Sequence, residues 1–122
     1  MLQSLHHIGI PTTDVEKSLA FYVDIFGFTP TERRMGGTSI LQFASFGDLV
    51  IELVQPGEGA QLLPKPGLHI AFSVDDIYGM VEKLAAAGYE LEKPLNPGAT
   101  GRMNCFLSGP SGERIELMYN PA

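Results

Sequence analysis

The chain has a single cysteine, Cys105, so no intrachain disulfide can form and the expected setting is a reducing, cytoplasmic one. It has no basic run either. Eight Lys and Arg stand against fourteen acids for a net charge of −6, which argues against nucleic acid and anionic membrane surfaces as partners. No apolar stretch approaches the roughly 20 residues needed to span a bilayer. The opening MLQSLHHIGIP lacks the basic start and apolar run of a secretory signal. These absences point to a soluble protein whose partner is a small molecule. With 44% of its 122 residues hydrophobic, the chain is about one ordinary domain and can bury a core without covalent staples.

What the chain has is a repeat. HIGIPTTDV begins at His7 and HIAFSVDDI at His69, an offset of 62 (69 − 7) that also relates Asp14 to Asp76. Each copy starts with apolar alternation and continues at helical spacing, with Val15, Leu19, Tyr22, Val23 and Phe26 on one expected stripe and Ile77, Met80, Val81, Leu84 and Ala85 on the other. Asp14 and Asp76 stand where N-caps belong, and Gly27 and Gly88 where a left-handed residue ends a helix. Gly79 inside the second helix has no evident reason in the sequence. After each helix the text turns strand-like: TERRMGG, TSILQFASFGD and LVIELVQP, then YELEKP, MNCFLSGPSGE and RIELMYNP. The expected organisation is an α+β fold of two βαβββ modules, residues 1–56 and 68–122, joined by a Pro- and Gly-rich linker at 56–67.

In LHHIGI the side chains alternate, so Ile8 and Ile10 face the helix while His7 and Gly9 face the other way. In LHIAFSV the same alternation leaves His69, Ala71 and Ser73 on the open face. Each half also ends on a matching strand, VIELVQP around Glu52 and RIELMYN around Glu116, with the carboxylate opposite its flanking core residues. An ionised Glu in a half-buried strand is costly unless something pairs with it, and two of them repel. A divalent cation answers both problems. Two imidazoles and two carboxylates suit zinc, nickel, cobalt, iron or manganese rather than calcium, which wants more oxygens. His6, on the other face from His7, reads as a bystander at the surface.

Taken together, LHHIGIPTTDVEKSLAFYVDIFGF, VIELVQPG, GLHIAFSVDDI and GPSGERIELMYNP resemble the motif blocks of the vicinal oxygen chelate superfamily, the group of glyoxalases, epimerases, extradiol dioxygenases and fosfomycin or bleomycin resistance proteins. The resemblance covers essentially the whole chain. It implies a cupped mixed sheet built from paired modules around one metal ion, held by His7, Glu52, His69 and Glu116, within one chain or across a homodimer.

Carboxylates at both Glu52 and Glu116 make the chain most similar to glyoxalase I enzymes, whose short bacterial forms use nickel or cobalt. By that likeness the expected activity is that of a metal-dependent lyase or isomerase acting through an enediolate, converting the hemithioacetal of a 2-oxoaldehyde to a 2-hydroxyacyl thioester. Glu116 is then the preferred base and Glu52 its counterpart, and nickel, cobalt or zinc is the expected metal. The alternatives are a methylmalonyl-CoA-type epimerase, acting on an acyl thioester, or a non-catalytic binding protein of the antibiotic-resistance kind. Where bacterial glyoxalases carry an Arg and an Asn that hold glutathione, this chain has Pro11 and Pro56. Arg33, Arg34, Arg102, Met103 and Met118 are candidate substrate contacts, and Cys105 a candidate for the pocket wall or the core.

Overall fold

The computed structural model describes residues 1–58, 69–96, 101–119 and 121. They fall into two units, Met1–Leu63 and Pro64–Ala122. Most of the expected linker, residues 59–67, lies outside the described residues, as does Leu68. Among the described residues no helix is long and apolar enough to cross a membrane.

The first unit runs β1 (Ile8–Pro11), α1 (Val15–Ala20), a π-helical turn (Phe21–Ile25), β2 (Thr29–Gly36), β3 (Ser39–Phe46) and β4 (Leu49–Gln55). Its sheet has the order β1-β4-β3-β2, with β1 parallel to β4 and the rest antiparallel. Ile51 and Leu53 are fully buried on the helix face, and each such aliphatic side chain contributes about 1.5–3 kcal/mol when taken out of water. The helix is fastened at its start, where Asp14 accepts a hydrogen bond from the Lys17 N–H at 3.1 Å and the Gln55 side-chain oxygen accepts from the Val15 N–H at 2.8 Å.

The expected apolar stripe of this helix is rotated. The buried residues are Val15, Ser18, Phe21, Tyr22 and Ile25, while Leu19, Val23 and Phe26 are only half-buried. Two causes act together. The Ser18 hydroxyl bonds that of Thr12 at 2.6 Å, which lets a polar residue sit on the inner face, and the π-helical turn brings Phe21, Tyr22 and Ile25 inward together. A second polar group, Gln42, is buried on this face. Its amide donates to the carbonyls of Phe43 and Glu32 and its oxygen accepts from Arg33, filling a bulge in β2 between Pro30 and Arg33.

The second unit runs β5 (His69–Ser73), α2 (Ile77–Ala86), β6 (Met103–Ser108) and β7 (Arg114–Tyr119), with sheet order β5-β7-β6 and β5 parallel to β7. Ile115, Leu117 and Leu107 form the buried face together with Ile77 and Leu84 of α2. Met80 and Val81 are half-buried, and Ala85, expected on the stripe, is exposed. The strand expected at YELEKP is not formed: the segment makes one bridge, Leu91 to Leu107, and one further bond from the Glu92 N–H to the Phe106 carbonyl at 2.8 Å. Pro94 cannot donate to a ladder, and the Glu92 side chain is engaged elsewhere, by Arg114.

Gly79 now has a reason. Its N–H donates to the Asp76 carboxylate at 3.0 Å, and a Cβ there would run into that carboxylate. Gly27 and Gly88 take the left-handed conformation expected of helix ends, with φ of 78° and 90°.

Candidate functional site

Each unit assembles one His–Glu pair, and the two pairs follow one plan. In the first, Gly9 of β1 is the register partner of Glu52 on β4, so His7, two residues earlier, lies on the same face as the carboxylate. In the second, Ala71 of β5 is the partner of Glu116 on β7, and His69 stands two residues earlier. Parallel pairing with the same register thus delivers the same result twice. The His7 Nε2 to Glu52 Oε1 distance is 3.6 Å and the His69 Nε2 to Glu116 Oε1 distance is 3.2 Å. Among the described residues, no group of three or more His, Cys, Asp or Glu side chains clusters as a metal site would. What each unit contributes on its own is a pair.

Behind each pair stands a phenylalanine. Phe43 is the register partner of Glu52, and Phe106 that of Glu116. Both present an edge to the histidine, with ring centroids 5.6 Å apart in each case and interplanar angles of 82° and 78°. Each phenyl ring also carries a guanidinium, that of Arg34 at 5.9 Å from the Phe43 centroid and that of Arg114 at 3.9 Å from the Phe106 centroid. Both arginines are held by two-pronged ion pairs, Arg34 to Glu32 and Arg114 to Glu92. The Arg34 and Arg114 pKa values are raised, chiefly by those hydrogen-bonded partners and in smaller part by the charges of Glu52 and Glu116 respectively.

The pairs differ in one contact to the carboxylate. The Asn104 amide of β6 donates to Glu116 Oε2 at 3.1 Å, so that carboxylate is held at both oxygens. At the equivalent register position, β3 carries Leu41, paired with Val54 as Asn104 is paired with Met118. Among the described residues no hydrogen-bond donor reaches the Glu52 carboxylate. It lies over Gly9, where a Cβ would come within 3.9 Å of Oε1.

The other candidate residues divide by face. Arg34 and Met118 lie on the faces of Glu52 and Glu116. Arg33 does not: its register partner is the buried Gln42, and its guanidinium is taken by Glu16 of α1 and by Gln42. Met103 and Cys105 pair with Tyr119 and Leu117 on the helix face, where burial pushes the Cys105 thiol up. These three belong to the core and its rim, because the strand period of two residues carries them away from the carboxylates. Arg102 is exposed just before β6. His6 is more than a bystander: its Nδ1 lies 2.8 Å from the His7 Nδ1, with the rings in edge contact. Phe43, Phe106, Asn104 and Arg114 went unnoticed in the sequence, although all four fall at even spacing from Glu52 or Glu116, or directly across from them, and so share their faces.

Residues 4–117 match the model of the Glyoxalase/Bleomycin resistance protein/Dioxygenase superfamily. The chain belongs to that superfamily. Within it, the chain is 36% identical to the uncharacterized protein YaeR of Escherichia coli (strain K12), over 95% of either chain. It is 31% identical to the probable lactoylglutathione lyase of Vibrio parahaemolyticus, over 93% of this chain and 88% of the relative. Among solved structures, the fold is similar to that of the fosfomycin resistance protein FosX of Listeria monocytogenes complexed with Mn(II) and sulfate. The TM-score is 0.78 at 24% identity, with 99% of this chain and 95% of that one covered. Superfamily membership fixes the glyoxalase-like α+β fold of the modules and agrees with a small-molecule substrate.

Proposed function

We propose that this superfamily member is a metal-dependent lyase or isomerase of the glyoxalase I kind, in which His7, Glu52, His69 and Glu116 together hold one divalent cation. The observation that carries the reading is the paired geometry. Two ligands bound about 2.0–2.2 Å from one ion, at angles between square and tetrahedral, are roughly 3.0–3.6 Å apart, and the Nε2 to Oε1 separations of 3.2 and 3.6 Å fit. The donor set, two nitrogens and up to four carboxylate oxygens, suits nickel, cobalt or zinc, and manganese as well. The Mn(II) of the FosX structure and the lyase name of the Vibrio relative support the same direction.

A bound cation would supply Lewis-acid stabilisation of charge on two adjacent substrate oxygens. The protein's own residues do the rest. A carboxylate, Glu52 or Glu116, takes the proton from the carbon bearing the sulfur and returns it to the neighbouring carbon, while the hydroxyl proton passes to the neighbouring oxygen, turning a hemithioacetal into a 2-hydroxyacyl thioester with no change in atom count. The phenyl rings of Phe43 and Phe106 limit the tilt of His7 and His69. Pro11 and Pro56 offer no side-chain donor for a glutathione peptide, so the assay is not restricted to glutathione adducts. The free, buried Cys105 accords with a reducing cytoplasm, and a homodimer is the proposed assembly, checked by sedimentation at micromolar concentration.

The test is a panel of hemithioacetals and 2-substituted acyl-CoA thioesters assayed before and after chelation. The reading expects turnover of a hemithioacetal that disappears with the chelator and returns on adding Ni(II), Co(II) or Zn(II). Turnover unaffected by exhaustive chelation would contradict it.

A further inference from the structure

We infer that Asn104 is a positioning residue that makes Glu116 the resident ligand and leaves Glu52 as the carboxylate that moves during turnover. This rests on the metal-binding reading above, and it reverses the expectation that Glu116 is the base.

The two pairs differ in what holds the carboxylate. Glu116 is held at Oε1 by His69 and at Oε2 by Asn104, at 3.2 and 3.1 Å. Rotating its carboxylate or withdrawing it from the histidine would break the Asn104 bond, and hydrogen bonds to charged groups are among the stronger ones a protein makes. Among the described residues Glu52 has no such donor. Its histidine contact is longer, at 3.6 Å, and its side chain is the more exposed of the two, 17% against 12%. Beneath it lies Gly9, where the second unit has Ala71. The residue facing Glu52 from the Asn104 position is Leu41, which has no polar atom to offer.

Asn104 is well suited to the task because it can only restrain. Its amide is neutral, it is exposed on β6 and it is not part of the core, so its removal tests the Glu116 contact rather than the fold. Partners that orient a ligand in this way change metal affinity by about 10–100-fold when removed.

The experiment titrates Co(II) against the full chain and follows its visible absorption, which reports the ligand field without any substrate. Three proteins are compared: the wild type, Asn104→Leu, which installs what the first unit has, and Asn104→Thr, a strand-compatible change that carries the test if the leucine variant does not fold. Both variants are expected to bind Co(II) about 10-fold more weakly, with a shifted absorption band. In parallel, Glu52→Gln should lower turnover more than it lowers Co(II) affinity, and Glu116→Gln the reverse. A wild type that takes up no Co(II) would remove the metal reading and this inference with it. A wild type that binds Co(II), with both Asn104 variants unchanged in affinity and spectrum, would overturn the inference and leave the metal reading standing. So would Glu116→Gln being the variant that loses turnover while keeping its metal.

Discussion

The two His–Glu pairs share a frame and differ in how it is filled. In both, a parallel strand pair sets a histidine two residues ahead of the partner of a glutamate, and the same backbone bond follows it, Thr12 N–H to the Val54 carbonyl at 2.9 Å and Val74 N–H to the Met118 carbonyl at 2.8 Å. In both, a phenylalanine stands edge-on to the histidine with an arginine over its face. Yet the arginines come from different strands, Arg34 from β2 and Arg114 from β7. Their acids differ as well, Glu32 two residues away and Glu92 twenty-two residues away in sequence. The ladder register is what the repeat dictates. The electrostatic support around it is reached by whichever strand supplies a long cation on the right face, and only Glu116 has an amide donor, Asn104, among the described residues.

The comparison breaks most heavily in the core. Leu53 and Leu117 are both fully buried beneath their glutamates, and replacing either by Ala should cost about 2–5 kcal/mol. Chemical denaturation checks this, and a loss in one unit much smaller than in the other would mean that the units do not share a packing plan. Next in size is the chemistry: Glu52→Gln should lower kcat by roughly 100-fold or more, about 2.7 kcal/mol, measured on the hemithioacetal that the panel identifies. The two helix caps should come third, with Asp14→Ala and Asp76→Ala each costing about 1 kcal/mol in thermal unfolding. The second should be partly offset in a Gly79→Ala background, because removing the Asp76 carboxylate opens the space that a Cβ at 79 needs.

The smallest effect belongs to the ion pairs. The Glu92 pKa is lowered by its hydrogen bond to Arg114, and that of Glu32 by its bond to Arg34. A carboxyl depressed in the folded state adds stability above its unfolded pKa and loses that stability as pH falls through the folded value. Both pairs are solvent-exposed, so the drop in Tm below the ordinary carboxylate range should be slight and should fade with added salt. A large acid transition that Arg114→Met abolishes would mean that this pair is more than a surface contact.

Much of this was legible in the residues, and the reason is alternation. The period of two fixed the faces of His7, Glu52, His69 and Glu116, and the offset of the repeat, 62 at the histidines, set them as equivalent positions. The same rule would have placed Asn104, Phe43, Phe106 and Arg114 beside them and excluded Arg33, Met103 and Cys105, had the cross-strand register been known. Register is where the sequence falls silent: it depends on turn lengths and on the bulge in β2, which a linear reading does not see. The stripe of the first helix was misplaced because a hydroxyl pair, Thr12 with Ser18, buried a residue that hydropathy assigns to the surface. YELEKP failed as a strand because its alternation was too short and too charged to outweigh Pro94 and the pull of Arg114 on Glu92.

In the proposed function both pairs hold the same ion, and the stoichiometry of metal binding tests this most directly. Co(II) titrated into metal-free protein, followed by calorimetry and visible absorption, should saturate at one ion per chain, and His7→Ala and His69→Ala should each abolish that same binding event. Two ions per chain, or a tight ion that survives in His7→Ala on the His69 and Glu116 pair alone, would show that the halves act separately and would contradict the account.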